Sequence, residues 1–155
     1  MKDSRIRDSL EVIGLFGVIA SLIFVGLELQ QSQQIAISNA SQARTDSTIE
    51  LLSILATEPV LRSGFQKLSA GKEEERTFDE RFAMNQMSVA ALMNYENIHY
   101  QYLNGFVPLE RWRGTIAFLE ANLAEPGFRR VYESNISGWS PRFRAVVEEI
   151  LATDQ

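Results

Sequence analysis

The chain has 155 residues, a formal net charge of −5, one histidine and no cysteine. An acidic balance argues against sequence-independent nucleic-acid binding, which needs a cationic footprint on phosphates. The lack of cysteine excludes disulfides, thiolate chemistry and Cys-ligated metal, and leaves the chain indifferent to the redox poise of its compartment.

Residues 1–9 read as a short N-terminal tail carrying Lys2, Arg5 and Arg7. After it, Val12 to Leu27 (VIGLFGVIASLIFVGL) runs without a charge. Extended by Leu10 and Leu29, the segment 10–29 rises about 30 Å as a helix, the thickness of a hydrocarbon core. Glu11 and Glu28 then fall in its first and last turns, within reach of headgroups and water. The Val, Ile, Leu and Phe residues between them favour insertion by roughly 3 to 7 kcal/mol. A cleaved signal peptide fits less well, because Glu28-Leu29-Gln30-Gln31 offers no A-x-A-like site. A buried helix of a soluble bundle is the other rival. The basic residues before the span, against none after it until Arg44, place the N-terminus in the cytoplasm and the bulk of the chain outside.

From Gln30 to Thr57 there is no Gly or Pro, so a helical extension over 30–57 is expected, ended by Glu58-Pro59. Residues 58–155 form one small helical domain. A short helix from Pro59 to about Ser69 places Leu61, Phe65 and Leu68 on one face, with Gly71 as its stop. Lys72 to Arg76 (KEEER) is a solvated turn. Thr77 with Glu80 is a capping-box pair, opening a helix that reaches Asn104-Gly105. Phe78, Phe82, Val89, Leu92, His99 and Leu103 follow one face of it. Met84, Met87, Ala91, Tyr95, Ile98 and Tyr102 follow the next, an apolar arc wide enough for a central helix covered on two sides.

Pro108 opens a helix carrying Leu109, Trp112, Ile116, Leu119 and Leu123 inward, until Glu125-Pro126-Gly127 breaks it. A short helix around Phe128 to Glu133 follows. Ser140-Pro141 then caps a last helix with Phe143, Val146, Val147, Ile150 and Leu151 as its stripe. No strand pattern is present, so the fold class is all-α: one N-terminal transmembrane helix continuing into a five- or six-helix bundle.

Gly14 to Gln34 (GLFGVIASLIFVGLELQQSQQ), with Asn94 to Gly105, Trp112, Pro126-Gly127-Phe128 and a late Phe143, resembles a widespread family of uncharacterised bacterial proteins. The resemblance covers most of the chain and implies one N-terminal membrane helix and a small helical domain; the bacterial inner membrane is the expected location. It carries no catalytic residue. Members often place a basic residue soon after the span, where this chain has none before Arg44.

Gly14, Gly17, Ser21, Phe24 and Glu28 recur at three, four, three and four residues and so share one helix face. Small residues there let backbones approach closely in lipid, which suits self-association or docking on another membrane helix. A ring of such helices could also gather Glu28 carboxylates around a cation path. Glu96 and His99 have the E-x-x-H spacing of di-iron bundles, but that chemistry needs two such pairs and His99 is the single histidine. A Ser-His-Asp site would also need His99, and no G-x-S-x-G elbow accompanies it. The acidic pairs at Glu73 to Glu75 and Glu148-Glu149 read as solvated faces, and no phosphate-binding glycine loop occurs.

Between Arg111 and Arg144, six arginines (Arg111, Arg113, Arg129, Arg130, Arg142, Arg144) and two tryptophans (Trp112, Trp139) suit anionic headgroups or an acidic partner. The alternative is arginines paired within the bundle and tryptophans in the core. The expectation is a single-pass, membrane-anchored binding or assembly protein without metal or cofactor. Its partners are the bilayer, copies of itself or other membrane subunits. A cation-conducting oligomer and an enzyme with an intersubunit site are the alternatives.

Overall fold

The computed structural model describes residues 2–153. Met1, Asp154 and Gln155 lie outside the described residues. So do the side chains of residues 2–10 and 12, among them Lys2, Arg5 and Arg7, which carry the expected topology. The described chain is all-helical: α1 (Lys2–Thr57), α2 (Pro59–Ser69), α3 (Phe78–Leu103), α4 (Leu109–Leu123), α5 (Pro126–Ser134) and α6 (Pro141–Thr153). Backbone contacts divide it into two compact units, Met1–Ala40 and Ser41–Gln155.

In the first unit, α1 is helical from Lys2, so the stretch expected as a tail is helix as well. It is the one described helix long and apolar enough to cross a membrane. None of its apolar segment is covered: Leu15, Phe16, Leu22 and Phe24 are each more than 60% exposed.

The second unit is built around α3, against which α2, α4 and α5 pack; α4 also meets α5 and α6. Leu92 of α3, Leu119 and Leu123 of α4, and Phe143 and Val147 of α6 are fully buried together, closed by Phe128, Val131, Tyr132, Trp139 and Ile150. Burying such side chains stabilises by roughly 1.5–3 kcal/mol each. Punctuation by Gly, Pro and caps sets the boundaries. Gly71 and Gly105 adopt φ of 67° and 78° just past α2 and α3, a left-handed conformation that glycine tolerates. Thr77 and Glu80 form a reciprocal capping box at the start of α3. Ser140 Oγ accepts from the Phe143 amide at 3.4 Å, capping α6.

Three expectations change. The helix expected from Phe128 begins at Pro126, because Glu125 serves as N-cap, its side chain accepting from the Phe128 amide at 2.6 Å. Phe78 and Phe82, expected on the inward arc, are 73% and 56% exposed. They stack on each other at 6.3 Å, because α2 packs on the Glu80 and Met84 face of the same turns. Leu103 and Leu109 are also exposed, since each sits at the end of its helix, past the packed layer.

Candidate functional site

The face proposed for helix contact, Gly14, Gly17, Ser21, Phe24 and Glu28, is exposed throughout. A Cβ added at Gly14 or Gly17 would meet nothing within 4 Å, so the notch is open. Ser21 Oγ donates to the Gly17 carbonyl at 2.8 Å, which satisfies the hydroxyl inside the helix and leaves Glu28 as the polar group of the face.

The Arg/Trp region separates into parts. Trp112 and Trp139 are buried, Trp112 stacking on His99 at 5.0 Å and Tyr102 at 5.3 Å. The Trp139 indole N–H donates to the Tyr132 carbonyl at 3.1 Å. Only the arginines remain at the surface, and among the described residues none of the six forms an ion pair. Arg111 lines a cleft between α1, α3 and α4, whereas Arg130 lines a groove between α3 and α5 with Arg76 and Arg81. Arg113 and Arg142 are exposed, and Arg129 and Arg144 are half-buried, each with an unpartnered Nε.

Glu96 and His99 do different work. The Glu96 carboxylate accepts from the Ser140 amide at 2.7 Å, tying α3 to the start of α6. His99 is buried against Trp112 and Phe143. Burial lowers its pKa from the usual histidine value, with Glu96 opposing and Arg142 reinforcing that shift. No three His, Asp or Glu side chains converge as a metal-binding group among the described residues.

A buried carboxylate, Glu80, organises another part of α3. Glu80 accepts from Ser63 Oγ at 2.6 Å, from Lys67 Nζ at 2.7 and 2.9 Å, and from the Thr77 amide at 2.7 Å. Lys67 foremost, then Ser63 and Thr77, hold its pKa down at about 2. The sequence disclosed only the Thr77 half of this network, because Ser63 and Lys67 lie on a different helix.

The site that sequence reasoning missed is the cleft of about 710 Å³ between residues 44–52 of α1, α3 and α4. Its walls are mostly apolar, with Ile49, Leu52 and Phe118 prominent, and no acidic residue lines it. Arg44 is only 6% exposed there. Its Nη1 donates to Gln101 Oε1, its Nε has no partner, and it has no carboxylate counter-ion among the described residues. Burial and the like charge of Arg111 both push its pKa down. Tyr95, at the same cleft, accepts at its hydroxyl from Asn122 Nδ2 at 2.9 Å, and burial raises its pKa. A signal was present: Arg44, Thr48, Leu51 and Leu55 follow at four, three and four residues, placing the arginine on the same stripe as the leucines.

No protein-family model, curated protein or solved structure matches this chain.

Proposed function

We propose that this is a single-pass membrane protein of the bacterial inner membrane that acts by binding or assembly, either with copies of itself or as an accessory subunit of a larger complex. The observation that carries the reading is the uncovered apolar segment of α1. From Ile13 to Leu29 every residue is exposed among the described residues. In water such a surface is strongly unfavourable, whereas a bilayer solvates it, and a helix satisfies its own backbone hydrogen bonds there. The open notch at Gly14 and Gly17 supports close approach of a second helix, because no side chain fills it. The charge distribution before the span supports a cytoplasmic N-terminus with the helical domain outside.

The test is the mass of the intact particle extracted in mild detergent at native expression level, with identification of everything that travels with it. A homo-oligomer weakened by Gly17→Leu assigns the notch to self-association. Fixed stoichiometry with other membrane proteins assigns an accessory role. Extraction into the soluble fraction without detergent overturns the reading.

A further inference from the structure

We infer that the cleft between α1, α3 and α4 binds a single-chain amphiphile with a carboxylate head, the head meeting Arg44 and Arg111 and the chain lying over Ile49, Leu52 and Phe118. This goes beyond the membrane-anchored reading and stands without it, since every residue involved belongs to the second unit.

Charge complementarity carries the argument. A cation taken out of water without a counter-ion is unfavourable by several kcal/mol, so a buried arginine ordinarily has a carboxylate beside it. Arg44 has none among the described residues, and the charge of Arg111, which lines the same cleft, repels it. Two positive charges at an acid-free site favour an anion, and a guanidinium matches a carboxylate by paired N–H donors. The remaining polar demand is small: the Tyr95 hydroxyl already has Asn122, and the Gln101 carbonyl already has Arg44. Beyond the arginines the cleft is mostly apolar, with Ile49 56%, Leu52 58% and Phe118 71% exposed, and its threonine hydroxyls (Thr45, Thr48, Thr115) bond within their own helices. Those side chains would cover a hydrocarbon tail and lose their own contact with water. A volume of about 710 Å³ suits one chain, lying within the roughly 300–1,000 Å³ of small-ligand sites.

The experiment titrates the full-length chain, held in nonionic maltoside micelles, with dodecanoate and counts adducts by native mass spectrometry. Dodecyltrimethylammonium, with the same tail and the opposite charge, is the comparison. The expected result is one dodecanoate per chain, little of the cation, and roughly tenfold or greater weakening in both Arg44→Gln and Arg111→Gln. Arg111 is exposed, so Arg111→Gln keeps the test informative even where Arg44→Gln unfolds. Melting followed by tryptophan fluorescence shows that each variant retains its core. Equal uptake of the two amphiphiles overturns the inference, as does unchanged dodecanoate binding in a folded Arg111→Gln chain. A two-chain particle that excludes dodecanoate and is broken by Phe118→Ser also overturns it, assigning the cleft to a second copy.

Discussion

Replacing Tyr132 by Phe should stabilise the helical domain, although it removes a polar group from a natural core. Tyr132 is 2% exposed, its ring stacks on Trp139 at 6.4 Å, and its hydroxyl is buried without a hydrogen-bond partner. In the unfolded chain that hydroxyl is hydrated. Folding strips the water and returns nothing, a loss of about 1–3 kcal/mol for an unsatisfied buried group. Phe keeps the ring and its packing while removing the loss, so a gain of about 1–2 kcal/mol is expected, raising Tm by roughly 2–8 °C. The assay is direct because the only two tryptophans, Trp112 and Trp139, both lie in this core. Their fluorescence therefore follows the domain and not the apolar segment of α1. Tyr132→Ala, which also deletes the ring, should lose roughly 3 kcal/mol or more. A Tyr132→Phe chain that melts at or below the parent temperature would refute the claim, showing that the hydroxyl is satisfied after all.

Three further outcomes follow from the same contacts. Glu80 has a lowered pKa, so its contribution is complete above its ordinary value of 4.5 and fades as pH falls towards about 2. Lys67→Met should shift the acid midpoint upward in a fluorescence titration. His99 is held neutral by burial, so protonation favours the unfolded chain: stability should decline as pH falls below the ordinary histidine value of 6.5, and His99→Phe should flatten that slope between pH 5 and 7. At Gly64 an added Cβ would stand 2.7 Å from Met84 Sδ. Gly64→Val should therefore lose about 1–3 kcal/mol in denaturant unfolding, part of it recovered when Met84 is shortened to Ala.

The helices were legible because their ends are chemical events in the sequence. Pro59, the Thr77–Glu80 box, Gly105 and Ser140-Pro141 each act within a few residues, so local reasoning reaches them. Burial was legible in the middle of helices and failed at their ends. Leu92, Leu119 and Phe143 are buried as their spacing requires, whereas Phe78, Phe82 and Leu109 are not, since periodicity cannot say how far a neighbouring helix extends. The cleft was hidden for a related reason. Arg44 and Arg111 are far apart in sequence, and only the packing of α1 with α4 brings them to one cleft.

Two of the carboxylates of α3, Glu80 and Glu96, have a consequence for how this chain can change. Glu80 receives α2 through Ser63 and Lys67, and Glu96 receives the amide of Ser140, the residue before α6. Between them α3 rises roughly 24 Å and turns so that the two acids point about 160° apart. The helix is thus a ruler read at both ends. Deleting one residue between the marks would swing one acid by about 100° relative to the other and strand its partner. Substitutions in that stretch can be absorbed singly, but insertions and deletions cannot. Length variation should instead collect in exposed connections, such as Lys72 to Glu75 between α2 and α3.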